Sequence, residues 1–181
     1  MRRHGGFSIT ELMVVVAIVA ILLGIGAPSY RYITNSYRMS AEVNGLLGDL
    51  QYARAEAIRE GQTVTACVSN NGTSCTGDGG NWAKGWIVFS DPNNNQTVAA
   101  GVLRVQGAFT GTTPDTFIAD SNVTAVTYNR EGFATTAAGF AGTTLTLHDS
   151  TANSAWSRCL VITAVGLMTT QTHVSNPGTC T

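Results

Sequence analysis

The sequence predicts an α+β protein: one long N-terminal helix, its first half able to span a membrane, followed by a globular head of antiparallel β-sheet. Three observations carry this. An almost purely apolar run extends without a break over residues 12–27. Beyond Pro28, the apolar residues Val43, Leu46, Leu47, Leu50, Ala53, Ala57 and Ile58 recur at spacings of three and four, which is one stripe of a helix, until Gly61 supplies a stop. From Gln62 onward the period changes to two, the signature of strands. The expected boundaries are a basic leader at residues 1–6, a membrane-spanning helix at 7–28, its amphipathic continuation at 29–61 and the head at 62–181.

As a helix, residues 7–27 would be about 30 Å long, which matches the hydrocarbon thickness of a bilayer. The one carboxylate in that stretch is Glu11, an expensive group in lipid unless something pairs with it. Arg2 and Arg3 lie before the run and no basic cluster balances them immediately beyond it, so the N-terminus is expected in the cytoplasm and everything after Pro28 outside. Pro28 itself is expected to kink the helix or to end its membrane part. A secretory signal peptide has the same charge order, with Gly24-Ile25-Gly26-Ala27 as its small-residue cleavage site. That reading leaves Glu11 without a purpose, since a carboxylate at the start of the hydrophobic region weakens a signal, and it leaves Gly5 and Gly6 idle.

The outer face of the second helical half carries Arg38, Glu42, Asp49, Arg54, Glu56, Arg59 and Glu60, read as a solvated or subunit-facing surface. Strands are expected at 63–68, 86–89, 101–105, 123–128, 143–147 and 159–165, with an Asn-rich turn at 92–96 and a second turn at Asn129-Arg130-Glu131-Gly132. The Gly- and Thr-rich loops at 108–116 and 134–142 are expected to be mobile or partner-facing.

A chain of 181 residues suits one anchored domain with a single core. The formal net charge is −1, and loss of Arg2 and Arg3 with the leader would lower it by two, to −3. No basic excess remains to attract phosphate in bulk. Charged residues make up only 12% of the chain, the texture of a turn-rich extracellular domain. Cys67, Cys75, Cys159 and Cys180 all fall on the exported side, where thiols become disulfides. Four cysteines allow three pairings. The local one is expected, because Cys67 and Cys75 flank a short loop while Cys159 and Cys180 flank the last strand and tail; such loops correspond to about 2.5 and about 3.3 kcal/mol of chain entropy. The spacings are wrong for zinc and the histidines are scattered at His4, His148 and His173, so no metal and no cofactor is expected.

The order of basic leader, Gly6, Phe7, Glu11 and apolar run resembles the class III leader of type IV pilins and type II secretion pseudopilins. The resemblance implies that a prepilin peptidase cuts after Gly6 and methylates the new amine of Phe7, so that the apolar helix stays on the mature protein. It also implies that Glu11 pairs with the N-terminal amine of a neighbouring subunit during assembly. Electrostatics agrees, since a carboxylate buried near helix N-termini is attracted by the amine and by the positive end of the helix dipole. The head resembles the GspH/FimT-type minor pilins and pseudopilins. The residues that carry this are the loop between Cys67 and Cys75, Gly85-Trp86-Ile87-Val88-Phe89, Tyr128-Asn129-Arg130-Glu131-Gly132-Phe133, and Arg158-Cys159-Leu160-Val161-Ile162 before Gly166. A type IV pilin-like fold follows, with antiparallel sheets packed on the amphipathic half of the helix.

The function this implies is that of a minor pilin or pseudopilin, a structural subunit that helps to initiate or cap assembly of a type IV pilus. The alternatives are a minor pseudopilin of a type II secretion system and a pilus-associated DNA receptor for natural transformation. The expected partners are a prepilin peptidase, other minor and major pilins or pseudopilins, and the inner membrane. The subunit would cross that membrane once, N-terminus cytoplasmic and head periplasmic, before joining a filament. An enzyme is not expected: there is no GxSxG, HExxH or P-loop, and His148-Asp149-Ser150, which imitates part of a triad, is explained by a polar turn after strand 143–147. In DNA-binding relatives the last strand is followed by Gly-Arg-x-Arg. Here that place reads Gly166-Leu167-Met168-Thr169, with both arginines absent and with Leu167 and Met168 read as core or subunit-contact residues. Arg104 and Arg130 are the residues that would have to grip phosphate, and with Lys84 they are scattered among different strands and turns, so DNA is not expected as a partner.

Overall fold

A computed structural model describes residues 6, 8–99, 101–110, 115–135, 139–175 and 180, and the side chains of residues 27, 28 and 31 are also outside the description. The chain divides into two compact units, residues 1–38 and 39–181, and helix α1 (Ile9–Glu60) contributes to both. In the first unit α1 opens with an 18-residue apolar stretch, Ile9–Gly26, whose side chains are not buried. The backbone stays helical across position 28, and the helix continues into the second unit as the sequence led one to expect. A proline removes one i to i−4 bond from a ladder that the bonds on either side still hold.

In the second unit Met39, Val43, Leu46, Leu50, Ala53 and Ala57 are each at most 2% exposed. At about 100° per residue these six fall within an arc of about 80°. Leu47 lies about 40° outside that arc and is half-buried, while Ile58, about 100° from its centre, is 53% exposed and does not belong to the core that the spacing assigned to it.

Among the described residues all strand pairings are antiparallel and form two sheets. One sheet has five strands, β1 (Val64–Val68), β2 (Trp86–Ser90), β3 (Val102–Gln106), β5 (Ala125–Tyr128) and β6 (Ala134–Thr135), in the order β3-β2-β1-β5-β6. The other has four, β4 (Thr116–Ala119), β7 (Gly142–His148), β8 (Arg158–Thr163) and β9 (Met168–Thr172), in the order β4-β7-β8-β9. Val64, Ala66, Val68, Trp86, Val88, Val126 and Tyr128 of the first sheet share one core with the α1 stripe and with Phe117, Leu145, Leu147, Leu160 and Ile162 of the second. The opposite face of the first sheet, Cys67, Ile87, Phe89 and Ala125, is buried as well, under Cys75, Val98 and Val102. Burial on both faces explains why Trp86-Ile87-Val88-Phe89 is continuously apolar instead of alternating. The expected strands correspond to β1, β2, β3, β5, β7 and β8. The remaining three strands among the described residues, β4, β6 and β9, are short or threonine-rich; β6 falls in the stretch 134–142 read as a loop, and β4 begins at the last residue of the stretch 108–116, whose positions 111–114, like 136–138 of the other, lie outside the described residues.

Side chains read as solvated on α1 turn out to hold the head together. Arg54 Nε donates to the carbonyl of Gly132 at 2.9 Å, tying the β5–β6 turn to the helix. The β8–β9 turn packs into the same corner: a Cβ on Gly166 (φ +76°) would stand 2.2 Å from the Gly132 carbonyl oxygen and 3.1 Å from Arg54 Nε. Glu56 is buried beneath the fork of Arg59, which holds its carboxyl below the usual value. The buried carboxylate of Asp91 accepts from Thr65 Oγ1 at 3.0 Å and from the backbone N–H groups of Asn95 and Gln96 at 3.1 and 2.9 Å, which shapes the Asn-rich turn.

Cys67 is bonded to Cys75, eight residues on, and Cys159 to Cys180, 21 residues on. The first bridge folds its loop over the second face of the five-stranded sheet. The second holds the wholly buried Cys180, whose carbonyl accepts a hydrogen bond from His173 Nδ1.

Replacing Cys159 and Cys180 together by serine is expected to lower stability by about 3 kcal/mol, and replacing Cys67 and Cys75 by less, about 2.5 kcal/mol. Urea midpoints of the oxidised and substituted proteins check this, and a larger effect of the short loop would contradict it. Gly166→Ala should cost about 2–4 kcal/mol through its left-handed backbone and the collision with Gly132. By contrast Gly48→Ala, within α1 and with nothing near an added Cβ, should stabilise by up to about 1 kcal/mol in the same measurement.

Candidate functional site

The sequence-predicted site residues fall in two places. Gly6 is exposed, with no atom within 4 Å of where a Cβ would stand, while Phe7 lies outside the described residues together with Arg2, Arg3, His4 and Gly5. Leu12 N–H donates to the Ser8 carbonyl at 3.1 Å, and Ile9 begins the helix. Glu11 therefore sits in the first turn of α1, where free N–H groups and the dipole favour a negative charge. Its carboxylate is exposed, and one turn further along come Val14 and Val15, both exposed and apolar. An acid displayed at the start of an apolar helix can bind a cationic group that approaches with a matching apolar surface.

Arg104 and Arg130 are not brought together. Arg104 is on β3 and Arg130 follows β5, three strand spacings away across the sheet, about 14 Å. Each is also engaged. Arg104 Nη1 donates to Asp49 Oδ1 at 2.8 Å, and its guanidinium lies 4.1 Å from the centre of the Tyr52 ring. The other oxygen of Asp49 accepts from Trp86 Nε1 at 2.8 Å, so one carboxylate clasps the edge strand and the core tryptophan to the helix. Asp49, read as solvated, is a positioning group of the fold. Arg130 Nε donates to Glu131 Oε1 at 2.8 Å, and the pair raises the arginine pKa and lowers that of the glutamate. Arg158 donates to the carbonyls of Trp156 and Ser157.

The stretch Gly166-Leu167-Met168-Thr169 forms the β8–β9 turn and the start of β9. Leu167 is 58% exposed, whereas Met168 is half-buried and its sulfur accepts from the Tyr128 hydroxyl at 3.4 Å. Burial pushes the Tyr128 pKa well above that of an ordinary phenol. Asp149 accepts from Thr151 and from the Asn153 N–H within its own loop, and the serine beside His148 Nδ1, at 3.0 Å, is the buried Ser157 rather than Ser150. Among the described residues no cluster of three or more metal-ligating side chains occurs.

With Arg104, Arg130 and Arg158 committed to carboxylates and carbonyls, the chain from residue 29 onward is expected to give no salt-sensitive shift of duplex DNA at micromolar protein and moderate ionic strength. Arg104→Gln should cost stability, about 1 kcal/mol for this half-exposed pair and its ring contact, without changing that result. A shift that weakens as salt rises and disappears in Arg104→Gln or Arg130→Gln would contradict the assignment.

Comparison with known proteins agrees with this geometry. A family model described as type II transport protein GspH matches residues 42–166, from the buried stripe of α1 to the Gly166 turn, and one described as a prokaryotic N-terminal methylation motif matches residues 1–27. No curated protein sequence matches the chain at a significant level. Two crystal structures of the Pseudomonas aeruginosa (strain PAO1) type IV minor pilin FimU share its fold. The form in space group P21 is 20% identical, with a TM-score of 0.62 over 82% of this chain and 99% of that one. The form in space group P65 is 21% identical, with a TM-score of 0.56 over 80% and 99%. The long apolar helix leading into antiparallel sheets is thus a type IV pilin-like fold, and the chain belongs to the GspH family.

Proposed function

We propose that the protein is a minor pilin, a membrane-anchored structural subunit that helps to initiate or cap assembly of a type IV pilus. The observation that carries this reading is the methylation motif at residues 1–27, set at the start of a helix whose apolar stretch is exposed and which continues as the central element of the head core. In this reading residues 1–6 are a leader, 7–28 the span, 29–61 its amphipathic continuation and 62–181 the head. A prepilin peptidase cuts after Gly6 and methylates Phe7. The chain crosses the inner membrane once, with Arg2 and Arg3 on the cytoplasmic side and the disulfide-bonded head in the periplasm. No catalytic role is part of it: the subunit acts by being assembled.

Glu11 is the residue on which assembly turns. Moving the apolar helix from lipid into a bundle of helices costs little, because one apolar surrounding replaces another. The exposed carboxylate in the first turn is the exception, and it needs a cation there. The amine of a neighbouring subunit's Phe7, close to other helix N-termini, supplies one. The family's description as a type II transport protein supports a second reading, a minor pseudopilin of a secretion system, in which the same chemistry operates; the likeness of fold to a type IV minor pilin supports the first.

Glu11→Ala should leave expression, membrane insertion and leader cleavage intact but reduce recovery in sheared filaments at least about tenfold. Gly6→Leu should instead leave the leader uncut. Quantitative blots of membrane and filament fractions separate the two, and wild-type recovery of Glu11→Ala in filaments would contradict the role given to the carboxylate.

A further inference from the structure

Just beyond the apolar stretch of α1 three tyrosines stand out from the helix: Tyr30, Tyr32 and Tyr37 are 70, 52 and 73% exposed. After Glu11 the next charged residue in the sequence is Arg31, and nothing ionisable lies between Glu11 and Tyr30. At 1.5 Å per residue, Tyr30 is about 28 Å and Tyr32 about 32 Å along the axis from Glu11. These distances bracket the hydrocarbon thickness of a bilayer, about 30 Å. A carboxylate at one end of the uncharged stretch and two amphipathic rings at the other are therefore spaced to reach opposite interfaces at the same time. Tyrosine suits that layer, since its ring is apolar and its hydroxyl needs water or a headgroup.

The directions of the rings identify what surrounds them. Tyr30 and Tyr32 are two residues apart, about 200° around the helix, so they project from opposite sides. A seam against one neighbouring helix would place its aromatics on one stripe. Exposure on both sides of one level fits a surrounding that is the same all round, which is the headgroup layer of a lipid leaflet.

Resting on the membrane-anchored reading above, we infer that the unassembled protein sits in the bilayer with Glu11 in the headgroup layer of one leaflet and Tyr30 and Tyr32 in that of the other. Its hydrocarbon segment is then residues 12–29, not 7–28. In this position the Glu11 carboxylate stays hydrated, and its cost in an apolar environment arises only when assembly lifts the subunit out of the leaflet. The tyrosines set that depth.

The test is fluorescence quenching of the full chain in phosphatidylcholine–phosphatidylglycerol vesicles whose lipids are brominated either near the headgroup or near the chain ends. Single variants Leu12→Trp, Ile21→Trp, Tyr30→Trp and Tyr37→Trp are compared with the unsubstituted protein, whose own tryptophans Trp82, Trp86 and Trp156 give the background. Positions 12 and 30 are expected to be quenched at least about twofold more by shallow than by deep bromines, position 21 the reverse, and position 37 by neither. Deep quenching at position 30, or none there while position 21 is quenched, would overturn the inference: the helix would sit lower, or the rings would lie in water or under a second subunit. Absence of quenching at position 21 would instead refute the span itself and with it the anchored function.

Discussion

The head closes around the buried stripe of α1. Met39, Val43, Leu46, Leu50, Ala53 and Ala57 follow one another at alternating steps of four and three, and side chains from both sheets complete a single core with them. Burying a stripe this regular requires the helix to be continuous and the strands to present their apolar faces to it in register. The same helix begins, in the other unit, with apolar side chains that none of the described residues covers. Hydrocarbon demands a helix because no water is present to satisfy backbone groups, and the head core demands one because the stripe repeats with the helical period. One element meets both demands, and the rest of the sequence is arranged on it.

Apolar packing alone leaves a helix free to slide or rotate against a sheet. The polar contacts at the margins of the stripe remove that freedom. Asp49 joins the core tryptophan Trp86 to Arg104 on the edge strand β3, and Arg54 joins the helix to the β5–β6 turn where Gly166 fits against Gly132. The arginines that a DNA receptor would need are engaged in this work or in local ion pairs.

Much of this was legible in the sequence because it is encoded locally. The helix, its stripe and the strands β1, β3, β5, β7 and β8 announce themselves by period, and β2 by its short continuous apolar run. The N-terminal methylation motif is local too, matching within residues 1–27. What was illegible depends on distant pairing. The strand β9, Met-Thr-Thr-Gln-Thr, has no apolar alternation and exists because β8 provides a ladder for it. Asp49 looked solvated because its partner Arg104 is 55 residues away, and Arg54 likewise because the Gly132 carbonyl is 78 residues away. Ile58 shared the spacing of the stripe but lies beyond its arc, a distinction that appears only when the facing sheets fix the centre of the stripe.

The central claim is that the apolar helix is a permanent part of the mature protein rather than a signal to be removed. Mass spectrometry of the protein extracted from membranes tests this most directly. The expected chain begins at Phe7 and carries one added methyl group on its amine. A mature chain beginning at Ala27 or Pro28 would contradict it.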